Sequence, residues 1–153
     1  MHIYKYFKKD YVNYMEENQS INNKILVVED NETYRKVIVN ALRIAKVNVL
    51  EAENGLRGLE IIRAEKPNLA IIDIYMPVMD GLSMLAEIKK DQQLMYIPVV
   101  MLTNVQEELD NAVKNGAEEA VLKASVTPQQ VVEVCLKYLN KTVENNNSLS
   151  ASN

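Results

Sequence analysis

Five side chains that can bind cations or handle a phosphoryl group stand at the ends of apolar runs in this sequence. They are the carboxylates of Glu29, Asp30 and Asp73, the hydroxyl of Thr103 and the ammonium of Lys123. Three carboxylates placed close together repel one another and raise at least one pKa unless a cation shares the site. Mg²⁺ is the usual ion for such a set where a phosphoryl group is handled, because it binds carboxylate oxygens and retains several waters. Lys123 supplies a further positive charge for a phosphoryl oxygen or for Asp73.

The elements that must position these side chains alternate along the chain from residue 24 onward. Short apolar runs predict strands over residues 24–28, 47–52, 69–73, 98–102 and 120–123, with stretches of helical period between them. Runs that are apolar on both faces are typical of a parallel sheet covered by helices on each side. Right-handed crossovers then predict an α/β, doubly wound parallel sheet whose functional crevice lies outside the carboxyl ends of the strands.

Turn and cap residues support the helix boundaries independently of periodicity. Gly116 stands where the fourth helix needs a left-handed residue, and Thr127, Pro128 and Gln130 form an N-cap, a first-turn proline and a capping-box partner. Asp80 is interpreted as turn chemistry before the third helix and receives no catalytic role. Each predicted boundary therefore has a local physical cause.

Composition excludes several classes of function. The chain has 153 residues, 48% of them hydrophobic, which suits one domain. A net charge of −4 argues against general binding to nucleic acid or anionic membrane. No apolar stretch reaches the ~18 residues of a membrane span, so we expect a cytoplasmic protein. The chain has one cysteine, Cys135, and one histidine, His2, which excludes an internal disulfide, a multi-Cys metal site and a catalytic triad that needs a histidine within the domain. Cys135 is interpreted as a small buried hydrophobic residue.

The motifs ILVVEDN, DIYMPVMDG, MLTN and GAEEAVLKA, at these spacings, resemble the receiver domain of two-component response regulators over residues 24–141. The resemblance implies a flavodoxin-like (βα)5 fold with the strand order 2-1-3-4-5. It also implies a role for each candidate residue: Asp73 as the phosphoacceptor, Glu29, Asp30, Asp73 and the backbone carbonyl of Tyr75 as Mg²⁺ ligands, Thr103 as the switch hydroxyl and Lys123 as the ion-pairing lysine.

The function implied by the resemblance is that of a stand-alone response regulator receiver. Its phosphoryl donor would be a sensor histidine kinase or a phosphotransfer protein. A downstream target protein would bind the face formed by the fourth helix, fifth strand and fifth helix, through which a homodimer would also form. We expect no direct contact with nucleic acid or membrane. We also expect no enzyme activity beyond phosphoryl transfer to, and hydrolysis from, its own Asp73. The stand-alone reading rests on the lack of a recognisable output segment after residue 141.

Three positions depart from the usual receiver pattern. Ala120 replaces the aromatic residue that usually reports phosphorylation, and Asn104 is bulkier than the usual residue after the switch threonine. Ala124 replaces a proline, and because a non-prolyl cis bond costs ~2.5–4 kcal/mol we predict a trans Lys123–Ala124 bond. We therefore expect the signal to pass through the backbone around Thr103 and the fourth helix.

Other interpretations stay open at this point. Asp73 could cap a turn, Thr103 could be an ordinary strand-end residue, and Lys123 could be solvated. A haloacid-dehalogenase-like phosphatase would need a second carboxylate where Tyr75 stands. A flavodoxin-like flavin carrier would need a phosphate cradle after the first strand, where the acidic pair repels phosphate. A pseudo-receiver would bind partners without phosphorylation.

The two ends of the chain are expected to lie outside the domain. Residues 1–23 form an extension that is either weakly ordered or an amphipathic helix, and residues 142–153 are expected to be a disordered polar tail. Within the fifth helix, Val132 and Leu136 lie beside the main apolar stripe, where they would serve the partner face or a homodimer.

Overall fold

The computed structural model describes the backbone of residues 23–150 and the side chains of residues 23–139. Within this range five parallel strands form a sheet in the order β2-β1-β3-β4-β5, which confirms the fold class and strand order predicted above. Because β1 and β3 lie inside the sheet, their apolar runs are covered on both faces. The strands are β1 Lys24–Val28, β2 Asn48–Ala52, β3 Leu69–Asp73, β4 Val99–Thr103 and β5 Glu119–Leu122.

Helices follow the strands throughout the described range, and side chains before most of them cap the first turn. Asn31, Asn54 and Asp80 each accept a hydrogen bond from a backbone N–H three residues further on. Thr127 and Gln130 form the predicted reciprocal capping box. The helices are α1 Glu32–Ile44, α2 Gly55–Glu65, α3 Gly81–Lys90, α4 Glu108–Lys114 and α5 Pro128–Ser150.

The sheet separates two apolar cores, because alternate strand residues point to opposite faces. Leu26 and Val28 of β1 pack with buried residues of α2, α3 and α4, whereas Ile25 and Val27 pack with those of α1 and α5. Cys135 is fully buried in the second core, as predicted from its position on the apolar stripe of α5. This three-layer arrangement leaves the carboxyl ends of the strands as one edge from which polar side chains can project.

Several boundaries differ from the sequence-based prediction by one residue. The strand predicted over 98–102 is β4, Val99–Thr103, so Thr103 belongs to the strand. The strand predicted over 120–123 is β5, Glu119–Leu122, and a short 3-10 helix, Lys123–Ser125, follows it. Lys123 therefore stands immediately after β5. The left-handed residue after α4 is Gly116, with a φ of 106°, as predicted.

The structure also differs from the predictions made for α5 and the chain ends. The helix α5 continues to Ser150, although a disordered tail was expected from residue 142. No proline or glycine interrupts the sequence between Gln129 and Ser150, so no residue forces the helix to end earlier. Val132 is buried and Leu136 packs against the second core, which corrects their assignment to a partner face. Residues 1–22 of the extension predicted over residues 1–23, and residues 151–153 of the predicted tail, lie outside the described residues.

Between residues 23 and 150, no helix is both long and apolar enough to cross a membrane.

Candidate functional site

Three carboxylates gather at the carboxyl edge of the sheet. Glu29 and Asp30 directly follow β1, and Asp73 ends the neighbouring strand β3. One oxygen from each of the three lies within 4.8 Å of the others. Glu29 and Asp73 are buried, while Asp30 is exposed. The structure thus brings together the acidic residues that the strand ends indicated.

Lys123 reaches this acidic cluster from the end of β5, the strand at the edge of the sheet. Its Nζ lies 2.6 Å from Oε2 of Glu29 and 3.0 Å from Oδ1 of Asp73. The Lys123 side chain is only 11% exposed, so the interpretation of a solvated lysine was wrong. The contact with Asp73 was expected. The shorter contact with Glu29 was not foreseen from the sequence.

The ionisation of the cluster follows from its burial. The pKa of Asp73 is raised to about 6, first by burial and then by the charge of Glu29, while Lys123 opposes both effects. Burial lowers the pKa of Lys123, but the hydrogen bond that its ammonium donates to Glu29 and the charge of Asp73 outweigh this effect, so the pKa of Lys123 is raised. The ammonium therefore remains charged, and it contacts two of the three carboxylates. A divalent cation would relieve the excess negative charge, and oxygen ligands of this kind suit Mg²⁺.

Thr103 is fully buried at the end of β4, beside β3. It follows Leu102, which is the register partner of Asp73. Its Oγ1 accepts a hydrogen bond from the backbone N–H of Val105 at 3.0 Å. Because a hydroxyl can accept and donate at once, this bond leaves the Thr103 proton available for another acceptor. Its role as a switch hydroxyl stays a prediction.

Tyr75 lies in the loop after β3, two residues beyond Asp73. Its hydroxyl donates to Oε1 of Glu108 at 3.0 Å, which connects this loop to the first residue of α4. Glu108 also accepts from the amide of Asn111 at 2.8 Å. The predicted use of the Tyr75 carbonyl as a metal ligand stays a prediction.

The loop after β3 closes tightly against the start of α3. The N–H of Gly81 donates to the carbonyl of Ile74 at 2.8 Å. A Cβ at position 81 would lie 2.1 Å from the carbonyl oxygen of Asp73, so only glycine allows this approach. Asp80 caps α3, which agrees with the turn role given to it. Helix α3 therefore fixes the backbone that carries Asp73.

The three unusual positions are ordinary in their local structure. The Lys123–Ala124 peptide bond is trans, as predicted. Ala120 is partly buried against the first core, where no aromatic ring occupies the position. Asn104 is exposed next to the buried Thr103. Their effect on signalling stays a prediction.

Two further residues support the cluster and were missed from the sequence. Arg35 donates to the carbonyl oxygen of Glu29 at 2.7 Å and its Nε lies 3.5 Å from Oε2 of Glu51. The ring of Tyr34 lies 4.7 Å from Nζ of Lys123, measured to the ring centroid. Tyr34 also packs against the second core. The available signal was its place three residues after the cap Asn31, in the turn that faces the acidic pair.

Comparisons with known proteins agree with this geometry. A family-wide sequence profile, described as the response regulator receiver domain, matches residues 25–135. The chain is 34% identical over 119 residues to the two-component response regulator ORR5 of Oryza sativa subsp. japonica, covering 75% of this chain and 87% of that protein. It is 28% identical over 116 residues to the polar-differentiation response regulator DivK of Brucella anthropi, covering 75% and 94%.

A longer relative shows that the match can be partial. The chain is 30% identical over 129 residues to the probable transcriptional regulator ycf27 of Porphyridium aerugineum, covering 81% of this chain but only 52% of that protein. The chain therefore spans about half the length of this relative and most of the two response regulators above.

Solved structures show the same fold. A putative response regulator from Chloroflexus aurantiacus superposes with a TM-score of 0.74 at 24% identity, covering 78% of this chain and 99% of that chain. A CheY-like receiver domain protein from Methanospirillum hungatei also gives a TM-score of 0.74 at 24% identity, covering 82% and 99%.

Proposed function

The chain belongs to the response regulator receiver domain family, and from this premise we propose that it accepts a phosphoryl group on Asp73 in a Mg²⁺-dependent reaction. The observation that carries the proposal is the position of the Lys123 ammonium, 3.0 Å from Oδ1 of Asp73 beside two further carboxylates. A carboxylate that only capped a turn would not need a buried cation and an acidic pair around it.

The carboxylates fit the cation that the family implies. Oxygens of Glu29, Asp30 and Asp73 lie within 4.8 Å of one another, and the single ammonium of Lys123 contacts only two of these carboxylates. These three residues, with the Tyr75 carbonyl, would hold Mg²⁺. When bound, the ion supplies charge neutralisation for the phosphoryl oxygens.

The chemistry of this chain is nucleophilic attack by a carboxylate. An oxygen of Asp73 forms a bond to phosphorus, and the bond between phosphorus and the donor's leaving atom breaks, the electron pair leaving with the donor. Lys123 lies where it can bind a phosphoryl oxygen, and its contact orients Asp73 beforehand. Thr103 then donates its free proton to another phosphoryl oxygen, which draws the loop after β4 towards Asp73.

Turnover on an external substrate is not part of the proposal. The position two residues beyond Asp73, where an aspartate-dependent phosphatase of the haloacid-dehalogenase type would carry its general acid, is Tyr75, and its hydroxyl binds Glu108. Flavin phosphate would meet the acidic pair after β1. The proposed activity is therefore limited to gaining and losing one phosphoryl group on Asp73.

The partners belong to the proposal as well. A sensor histidine kinase or phosphotransfer protein would donate the phosphoryl group in the cytoplasm, and a target protein would bind the face of α4, β5 and α5. On that face Lys137 and Tyr138 both contact Oε2 of Glu119 at 2.9 Å, so its exposed part is a polar network. A homodimer would use the same face. No direct contact with nucleic acid or membrane is proposed.

Acetyl phosphate and Mg²⁺ provide the test of phosphate acceptance. Intact-mass spectrometry should show wild-type protein carrying one phosphate, which hydroxylamine removes because an acyl phosphate reacts with it. Asp73→Asn should show no adduct, and Asp110→Asn, which changes an exposed aspartate of α4, should behave as wild type. Omission of Mg²⁺ should abolish the adduct.

An unmodified wild-type protein would contradict the proposal and favour the pseudo-receiver, a module that binds partners without phosphorylation. An adduct that persists in Asp73→Asn would place the acceptor elsewhere.

A further inference from the structure

An aromatic ring lies against the ammonium of the site, on a side that the carboxylates leave uncovered. The ring centroid of Tyr34 is 4.7 Å from Nζ of Lys123, within the range of a cation–π contact. Glu29 and Asp73 supply the two other contacts of this ammonium. Tyr34 is partly buried, so the contact is only partly screened by water.

The position of the ring is fixed by the first turn of α1. Asn31 accepts from the backbone N–H of Tyr34 at 2.8 Å, and its own N–H donates to Oε1 of Glu29 at 3.0 Å. The same cap therefore fixes the carboxylate and the ring that contact Lys123. The ring is held by the backbone of α1 and requires no flexible link.

Lys123 depends on contacts of this kind because its own backbone gives it little support. It begins a 3-10 helix of three residues, and the next two residues, Ala124 and Ser125, are exposed. Four rotatable carbons separate its ammonium from that backbone. Glu29 holds the ammonium at 2.6 Å but also belongs to the carboxylate set that fits a cation. The ring of Tyr34, in contrast, is not a ligand of that cation.

From this geometry we infer that Tyr34 is a positioning residue that holds the Lys123 ammonium over Asp73 through the face of its ring. The inference rests on the proposed phosphate acceptance at Asp73 and adds to it a residue from α1. The hydroxyl of Tyr34 is not needed for this role, whereas the ring is. The aromatic group that the strand β5 lacks at Ala120 thus has no bearing on this contact, which comes from the opposite face of the sheet.

The ring can be separated from the hydroxyl by two substitutions. Tyr34→Phe keeps the ring and Tyr34→Leu removes it, while Tyr96→Leu removes an exposed tyrosine in the loop before β4 and serves as the matched control. Two quantities are measured on each protein. One is the rate of adduct formation with acetyl phosphate and Mg²⁺, and the other is the NMR shift of the Lys123 ε-CH₂ protons without Mg²⁺, which a ring face moves upfield.

We expect Tyr34→Phe and Tyr96→Leu to keep both the wild-type rate and the upfield shift. Tyr34→Leu should lose the shift and slow adduct formation by about three- to tenfold, the range of a partly desolvated cation–π contact. Because Tyr34 also packs against the second core, urea unfolding must show that each variant is folded. If Tyr34→Leu does not fold, Tyr34→Met replaces it, because methionine fills a similar volume without a ring.

The inference is overturned if the Lys123 shift is the same in Tyr34→Leu as in wild type, or if Tyr34→Phe slows the reaction as much as Tyr34→Leu. A wild type that forms no adduct would instead defeat the proposed phosphate acceptance. In that case the Lys123 shift, measured without donor or metal, still decides whether the ring holds the ammonium.

Discussion

At the scale of single residues, Asp73 carries a charge that its surroundings only partly compensate. Its side chain is buried between β1 and β4, Glu29 lies on the same side, and one ammonium serves both carboxylates. Burial and the charge of Glu29 together raise the pKa of Asp73 to about 6. A carboxylate in this state favours a nearby cation, and replacing it by a neutral side chain should stabilise the folded protein.

Asp73→Asn should raise the free energy of unfolding at pH 7 without Mg²⁺. The pKa of Asp73 in the folded protein, about 6, lies above the ordinary value of 3.8, so the folded state binds the proton more tightly than the unfolded state. The stability of wild type therefore falls as the pH rises from 4 to 6, and the ionised side chain costs about 1–2 kcal/mol above that range after allowance for solvent.

Urea unfolding at pH 4, 5, 6 and 7 measures this effect. The advantage of Asp73→Asn over wild type should be largest at pH 7 and shrink towards pH 4, whereas Asp110→Asn should show no such trend. A gain that is equal at all four pH values would contradict the assigned cause.

The strand ends carry enough information to predict most of this site. Apolar runs that stop at Glu29, Asp73, Thr103 and Lys123 place four functional groups at one edge, because parallel strands end together. The contact of Lys123 with Glu29 was not predictable, since spacing along the chain does not say which of two neighbouring carboxylates a long side chain approaches. The contact between the Tyr34 ring and Lys123 was not predictable for another reason. An aromatic residue at helical spacing has the same sequence pattern whether its ring packs on the core or on a cation.

At the scale of elements, a side-chain hydrogen bond that the sequence did not indicate joins α4 to the loop after β3. Tyr75 projects from the loop after β3 and donates to Glu108, at the start of the seven-residue α4. No side chain caps the N-terminus of this helix, and Ala112 is its one buried residue. A helix with so few restraints should respond to changes in the loop that holds it.

Tyr75→Phe should weaken the coupling between Asp73 and α4. Without the hydroxyl, the loop loses its bond to Glu108, so the beryllofluoride phosphate mimic should shift the amides of Glu108–Lys114 less than in wild type. Two-dimensional NMR of the protein with and without the mimic measures these shifts, and Tyr96→Phe is the matched control on an exposed tyrosine. Undiminished shifts in α4 would show that the signal travels through Thr103 alone.

The ends of elements were predicted correctly where a capping or turn residue causes the helix to begin or end, and wrongly where no such residue exists. Gly116, Asp80 and the Thr127–Gln130 pair end or begin helices at the expected positions. The end of α5 was wrong, because polar composition was taken as a sign of disorder although no residue stops the helix before Ser150. Polar composition lowers helix propensity only moderately, and asparagine does not break a helix.

At the scale of the whole molecule, the two cores make the domain close-packed on both faces of the sheet. Cys135 lies in the second core with no exposed surface, and burial raises the pKa of its thiol to about 12. While the domain is folded, a thiol reagent therefore cannot reach Cys135, and the thiol does not ionise to the reactive thiolate.

A thiol reagent should label Cys135 only through opening of the domain. At pH 8 we expect native protein to react at least about a thousandfold more slowly than protein in urea, because reaction requires the rare open state. Ellman's reagent followed by absorbance measures both rates. Ser125→Cys in a Cys135→Ala background provides an exposed thiol as control and should react at once. Rapid labelling of native wild type would show that the packing around α5 opens locally.

The ion pair between Lys123 and Glu29 joins residues 94 positions apart, which follow the first and the last strands in chain order, β1 and β5. A nascent chain that has emerged only as far as β4 already contains all three carboxylates but lacks their counter-ion. The order of synthesis therefore leaves the charges of this cluster uncompensated by Lys123 until the last strand in chain order has been made.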